Sequence, residues 1–273
     1  MKNKEIRKMA KEKMKGKMGK AVGITIVYFL LIFLMSLVLG WIPIIGSLAA
    51  SIISVPLTFG WTKQIILLAN GEYVGIIDFL KHGFGNFGKV WCSNLWITLK
   101  CIVPALLMIA CPIVGSLVNE MLAIVLTIGG SIWLIIAIWK YAMINYTIAY
   151  DNQELRAKQL VEKTGEECKG KIGGFVCMGI YFGLLIFCYA FLITFVTSFA
   201  FGFFGSLISS NIASTMSLIG IFVSYIIVGA VSLVLSIRNV AACNEYYKIK
   251  VLGEQYFNNN QSDMNYEQNN VNY

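Results

Sequence analysis

The stretch that decides the fold is residues 21–39, which read AVGITIVYFLLIFLMSLVL. These nineteen residues carry no charged side chain, and a helix needs roughly 20 apolar residues to cross a bilayer. A secretory signal has a shorter apolar core of about 7–15 residues, followed by a small-residue cleavage site. The stretch therefore predicts an uncleaved transmembrane helix.

Further apolar runs follow, and the composition agrees with a membrane protein. The chain of 273 residues is 58% hydrophobic and 13% charged, whereas soluble domains are roughly 45–50% apolar and about 25% charged. This excludes a soluble enzyme, a disordered chain and a disulfide scaffold. We predict an all-α polytopic bundle within residues 21–257, with spans at about 21–39, 44–69, 91–117, 121–145, 172–204 and 216–238.

The cations predict the orientation of these spans. If the N-terminus is cytoplasmic, the inner segments 1–20, 63–90, 140–171 and 238–273 hold every Lys and Arg except Lys100, and the outer connections hold none. Cytoplasmic loops carry such an excess of basic residues. We therefore predict a cell-membrane protein with both termini in the cytoplasm. Residues 258–273 are rich in Asn and are predicted to be disordered.

Residues 1–20 form a basic amphipathic arm, in which Ile6, Ala10 and Met14 recur at helical spacing among lysines. Such helices lie at the membrane surface and contact anionic lipids. A basic protein also suits nucleic acid, but a basic run leading directly into a span is more typical of lipid contact, so no nucleic acid is expected. The lysines could equally be topology signals without a specific ligand. The candidate headgroup contacts are Lys11, Lys13, Lys15, Lys17, Lys20, Lys169 and Lys171.

The approach to the first span recurs before the fifth. Residues 15–33 match residues 169–187 at ten of nineteen positions, including the pattern K-G-K-x-G at Lys15 and Lys169. A fainter copy, F-G-K-V at residues 87–90, precedes the third span. The repeat predicts three parallel two-helix hairpins, each led by a cytoplasmic interfacial helix.

Four segments resemble bacterial integral membrane proteins of domain-of-unknown-function family 975. They are residues 7–21 (RKMAKEKMKGKMGKA), 146–159 (YTIAYDNQELRAKQ), 169–171 (KGK) and 244–247 (NEYY), and the resemblance covers roughly residues 5–255. It implies a polytopic bacterial membrane protein and transfers no functional residue. Within residues 146–159, Asp151 or Asn152 is predicted to cap the N-terminus of a helix that has Glu154 in its first turn.

The sequence offers little catalytic chemistry. The seven cysteines have no C-x-x-C spacing and His82 is the single histidine, so no metal, cofactor or catalytic site is predicted. We also place no ionisable side chain in the bilayer interior, where such groups are usually functional.

We predict a non-catalytic protein that binds lipids or a protein partner at the inner face, with the oligomeric state open. The alternative is a transporter or channel for a small uncharged or amphipathic solute, its pocket lined by Asn94, Thr98, Asn145, Thr194 or Ser224.

Overall fold

The computed structural model describes residues 1–42, 45–118, 120–151, 155–208 and 210–253, and within these ranges the regular structure is helical throughout. Six helices are long and apolar enough to cross a membrane. The chain is therefore an all-α polytopic membrane protein, as predicted. The tail at 258–273 lies outside the described residues. The α-helices are α1 (Asn3–Lys13), α2 (Met18–Leu39), α3 (Ile45–Asn70), α4 (Asp78–Gly85), α5 (Phe87–Val118), α6 (Glu120–Trp139), α7 (Ile144–Ala149), α8 (Ala157–Glu167), α9 (Ile172–Ile208) and α10 (Ser210–Tyr247), with a π-helical turn at Lys248–Leu252.

The long helices form three hairpins: α2 with α3, α5 with α6, and α9 with α10. A short elbow helix, α1, α4 or α8, leads into the first arm of each hairpin. We call the end of the bundle that carries these short helices the elbow end. The helix α8 begins and ends 154 residues after α1 begins and ends, and α9 begins 154 residues after α2. The repeated sequences 15–33 and 169–187 are separated by the same 154 residues. The sequence repeat is therefore a repeat of structure.

The turn between elbow helix and span explains the glycine in the repeated K-G-K pattern. Gly16 and Gly170 have φ of +80° and +79°, a left-handed conformation that costs residues with a Cβ about 1–2 kcal/mol. The preceding helices α1 and α8 also end alike. The backbone N–H of Met14 donates to the carbonyl oxygen of Ala10, and the backbone N–H of Cys168 donates to that of Thr164. The elbow of the second hairpin differs: α4 ends at Gly85 and α5 begins two residues later.

Equivalent positions are buried in the repeats. Ile6 in α1 and Leu160 in α8 are fully buried. At the equivalent position of each first arm, Ile24, Ser93 and Met178 are also fully buried. The same inward face is therefore used in all three hairpins, although the residues on it differ.

Each elbow helix packs against a hairpin other than its own. The helix α1 contacts α10 of the third hairpin, α4 contacts α3 of the first, and α8 contacts α5 and α7 of the second. This cyclic docking covers the apolar faces of α1 and α8 with protein, so that their polar faces point outward. The basic arm is consequently part of the folded bundle.

The α4 junction is closed by glycines. A Cβ on Gly60 would lie 2.0 Å from the carbonyl oxygen of Phe79, and one on Gly83 would lie 2.3 Å from that of Pro56. These distances are far shorter than any van der Waals contact. Backbone therefore packs on backbone where α4 crosses α3.

Several helices begin or end at residues other than the predicted span boundaries, and the largest differences concern the fourth and sixth spans. Within the fourth predicted span the helix is interrupted before residue 145, because α6 ends at Trp139 and a turn separates it from α7. The turn lets Ile144 and Ile148 pack with Leu160 in a small core under α8. The helix of the sixth predicted span, α10, continues nine residues beyond residue 238, and this extension is buried in the main core.

The buried core lies at the elbow end. It includes Ile6 and Met14 of α1, Ile65 of α3, Met178 of α9 and Tyr247 of α10. The spans away from this end expose large apolar side chains, such as Phe33, Phe195 and Phe199, which are each about three-fifths exposed. Such surfaces suit acyl chains, so the hairpins are joined mainly at the elbow end.

We expect Gly16→Ala and Gly170→Ala each to lower stability by about 1–2 kcal/mol, because only φ is unfavourable there and a Cβ would meet open space. Gly19→Ala is the matched control, since Gly19 has equally open surroundings within α2. Thermal unfolding in detergent measures the difference. Equal unfolding temperatures for the G16A and G19A variants would contradict this account.

We expect Gly83→Ala to destabilise the protein by about 1–3 kcal/mol, as overpacked sites do. Gly85→Ala, two residues along the same helix where a Cβ would meet open space, should be neutral or stabilising. Chemical unfolding of the two variants tests the closed junction. Similar losses for both would show that α4 does not need this contact.

Candidate functional site

The outward face of α1 is a lysine stripe. Lys4, Lys8 and Lys11 are exposed, and their spacing of four and three residues places them on one side of the helix. Lys15, in the turn that follows α1, is also exposed and completes the stripe. The opposite side, with Ile6, is buried against the bundle. The stripe is therefore held in a fixed position by a packed apolar face.

Lys13 and Lys17, two of the seven predicted headgroup contacts, bind protein. The Lys13 ammonium lies 2.8 Å from a carboxylate oxygen of Glu245. The Lys17 ammonium donates to the Leu68 carbonyl at 3.1 Å, near the last turn of α3. Both lysines therefore fasten the first elbow to other parts of the bundle.

The remaining predicted contacts are more accessible. Lys11, Lys15 and Lys169 are exposed and Lys171 is half-buried. The Lys20 ammonium lies 3.7 Å from the ring centroid of the exposed Tyr73. Lipid contact by these lysines stays a prediction.

Glu245 is the main residue that sequence reasoning missed. Its side chain is fully buried, its partner Lys13 is 35% exposed, and its second carboxylate oxygen has no hydrogen-bond partner among the described residues. The prediction concerned charges in the bilayer interior and did not include this carboxylate, which protein buries at the elbow end. A buried carboxylate is costly unless it is paired, so the ion pair joins α1 firmly to α10.

A polar junction lies beside this pair and joins all three hairpins. The Tyr150 hydroxyl donates to Asn244 Oδ1 at 2.7 Å and accepts from Asn70 Nδ2 at 3.2 Å. Asn70 ends α3, Tyr150 follows α7 and Asn244 lies in α10. The Lys248 ammonium also donates to Asn70 Oδ1. We name these four residues the polar junction.

Tyrosine rings pack next to the polar junction. Tyr247 stacks between Tyr146 and Tyr150, with centroid distances of 6.0 and 5.8 Å. Its hydroxyl donates to Thr147 Oγ1 at 3.2 Å. Most of these groups satisfy one another, so the arrangement favours a fixed structural contact over an open binding site.

A sequence signal for this buried segment exists. Residues 240–247 read VAACNEYY, and on a helix their apolar side chains surround Asn244 and Glu245 on every side. A helix that is apolar all round is usually buried. The apolar residues around Glu245 therefore indicate a buried helix, and they are the sequence signal for the extension of α10.

The loop before α8 also differs from its prediction. The helix begins at Ala157, and the backbone N–H of Arg156 donates to the Gln159 side chain. Asp151 instead accepts from the Lys89 ammonium at 3.0 Å and from the Leu155 backbone N–H at 3.1 Å. The predicted cap at Asp151 is therefore wrong, because this carboxylate binds Lys89 and the Leu155 backbone instead. The alternative cap Asn152 and the predicted first-turn residue Glu154 lie outside the described residues.

The polar residues considered for a transport pocket bond within their own helices. Asn94 donates to the Val90 carbonyl, Thr98 to that of Asn94 and Ser224 to that of Ile221. Thr194 lies on an open, Phe-lined groove of α9, and Asn145 is half-buried in α7. These residues give the transport alternative no shared pocket, and it stays a prediction.

Cys168, the residue after α8, has an unreactive thiol. Cys168 is fully buried, and its thiol lies 3.3 Å from the Met143 sulfur. Burial, with a smaller contribution from Glu167, raises the pKa of this thiol to about 11. Among the described residues, no three His, Cys, Asp or Glu side chains form a group that could hold a metal ion.

Fold and geometry define a polytopic helical membrane protein of three hairpins. Comparisons with protein-family models, curated proteins and solved structures find no match to this chain. Membership of domain-of-unknown-function family 975 therefore stays a prediction.

We expect Lys13→Gln to destabilise the protein more than Glu245→Gln. The first change leaves a buried carboxylate without its ammonium, whereas the second leaves a lysine that can reach water. The K13Q loss should stay below the about 3–5 kcal/mol of fully buried pairs, because Lys13 is partly exposed.

Thermal unfolding of both variants and of the double variant measures this asymmetry. The K13Q/E245Q protein should be more stable than K13Q alone, and Lys15→Gln serves as the exposed control. A double variant that is less stable than K13Q would show that the carboxylate is stabilised by other groups.

Proposed function

We propose that the protein is a non-catalytic component of the cell membrane whose elbow end faces the cytoplasm and binds anionic lipid headgroups. The lysine stripe of α1 carries this proposal. Three exposed ammonium groups on one side of a packed helix, with a fourth in the turn that follows it, form a positive surface of fixed position. A flexible arm would provide the same charge without that position.

The distribution of charge supports the orientation. Because the long helices pair as hairpins, residues 1–17, 71–86 and 140–171 lie at one end of the bundle. Those segments hold most of the cations, whereas residues 40–43, 111–120 and 205–215 at the opposite end hold no Lys or Arg. Basic residues near the anionic cytoplasmic leaflet gain about 1 kcal/mol each.

A protein partner at the same face is part of the proposal, and α8 is the suitable surface. Its outward side carries Lys158, Glu162 and Glu166, and Lys169 lies in the turn that follows; all four are exposed. Mixed charge of this kind favours a complementary polar surface over a uniformly anionic one. The two elbow helices of the repeat thus present different outward chemistry.

The test replaces the stripe in the full-length protein. We expect a K4Q/K8Q/K11Q/K15Q variant to lose at least about tenfold in apparent affinity for phosphatidylglycerol, given about 1 kcal/mol for each lysine. Thermal shift in detergent, titrated with phosphatidylglycerol or phosphatidylcholine, measures this. A K81Q/K158Q/K163Q/K250Q variant removes the same charge elsewhere.

Equal stabilisation of the stripe variant and the control variant by phosphatidylglycerol would refute the proposal. Saturable stabilisation of the unmodified protein by a soluble metabolite would instead favour the transport alternative. Cysteine labelling at residues 15 and 169 in intact cells tests the orientation. Labelling of these positions by a membrane-impermeant reagent from outside would reverse it.

A further inference from the structure

Two clefts lie at equivalent places in the repeated architecture. The larger, of about 520 Å³, lies between α8 and the second hairpin. The smaller, of about 220 Å³, lies between α1 and the third hairpin. Val161 and Gly165 line the first, and Arg7 and Lys11, at the same positions in the repeat, line the second. Where the elbow helix α4 packs on the first hairpin, the equivalent space is closed by the glycine contact of α3 with α4.

Both clefts collect cations beside aromatic rings. The larger cleft has Lys100, Lys140 and Lys169, and the smaller has Arg7, Lys11 and Arg238. Arg7 lies 3.7 Å from the ring centroid of Tyr181, and the buried Nε of Arg238 has no hydrogen-bond partner among the described residues. Only the larger cleft falls within the roughly 300–1,000 Å³ typical of ligand sites.

The larger cleft has a cationic side built on the second hairpin. The ammonium groups of Lys100 and Lys140 lie 5.6 and 5.7 Å from the ring centroid of Tyr141. Gly165 makes room for this arrangement, since a Cβ there would lie 3.3 Å from Lys140 Cε. Two ammonium groups gathered around one ring suit a phosphate.

The α8 side of the same cleft is anionic. Glu162 and Glu166 are one helical turn apart, and both are exposed. A headgroup with phosphate alone would meet these carboxylates unfavourably. A headgroup that also carries an ammonium group would pair with both sides of the cleft.

The cleft also opens sideways onto the part of the bundle that faces acyl chains. Ile136 and Trp139 of α6 line it and are 58% and 42% exposed. Trp is enriched at the membrane–water interface. A soluble ligand would leave this apolar side uncovered, whereas a phospholipid covers it with its chains.

We propose that the larger cleft binds a phospholipid whose headgroup joins a phosphate to a primary amine. The phosphate lies at Lys100 and Lys140, the amine at Glu162 and Glu166, and the acyl chains run along Ile136 and Trp139. This rests on the proposed function only in placing the elbow end at a membrane surface. The lysine stripe is not part of this site.

Native mass spectrometry of the full chain, with equimolar lipids of the same acyl chains, tests the site. Phosphatidylethanolamine should be retained over phosphatidylglycerol, which lacks the amine, and over phosphatidylcholine, whose quaternary amine donates no hydrogen bond. K100Q/K140Q should reduce retention of phosphatidylethanolamine about tenfold, as loss of charge-assisted bonds predicts. E162Q/E166Q should abolish the preference for it while keeping phosphatidylglycerol.

Matched controls remove the same charges elsewhere. K81Q/K250Q controls for the lysines, and E12Q/E72Q controls for the carboxylates, because Glu12 holds the position in α1 that Glu166 holds in α8. Both should bind like the unmodified protein. Equal retention of the three lipids by the unmodified protein, or an unchanged preference in E162Q/E166Q, would overturn the proposal.

The stripe variant separates this site from the proposed function. If K4Q/K8Q/K11Q/K15Q keeps its response to phosphatidylglycerol but the cleft variants behave as expected, the proposed function fails and the cleft stands. If the stripe variant loses that response while K100Q/K140Q retains phosphatidylethanolamine normally, the cleft fails and the proposed function stands.

Discussion

The fold depends on the docking of each elbow helix against a hairpin other than its own. Lipid gives no hydrophobic drive for spans to associate, because acyl chains are as apolar as leucine. The elbow end, in contrast, buries Ile6, Leu160 and Phe79 completely in protein. The three hairpins are thus joined in a ring where water can favour burial, and the exposed spans are positioned from that end.

Polar contacts then specify how the hairpins meet. Tyr150 bridges Asn70 and Asn244, and Lys13 pairs with the buried Glu245. Such groups add less net stability than an apolar contact of the same size, but an alternative docking leaves them buried and unpaired. The apolar faces of the elbow helices favour burial in general, and these bonds select one arrangement.

The sequence predicted the spans and the repeat, because bilayer thickness fixes the length of an apolar run and a turn with positive φ requires glycine at residues 16 and 170. It did not predict the partners of Lys13 or Asp151, which are 232 and 62 residues away from them along the chain. From a single sequence, a charged residue is predicted to be solvated or lipid-facing, because the sequence does not show which long-range contact buries it. The same limit concealed both clefts, whose walls come from different repeats.

The outward faces of the two best-matched repeats differ in charge. Inward positions stay apolar or small, as with Ile6 and Leu160, because both pack under the same kind of hairpin junction. Among the outward positions, Lys8 is replaced by Glu162 and Lys11 by Gly165 in the later copy, whereas Lys4 and Lys15 recur as Lys158 and Lys169. Packing restricts the first set and leaves the second free. A duplicated unit can therefore keep one fold while one copy presents a basic surface and the other a mixed one, and the ligands proposed for the two surfaces differ in the same way.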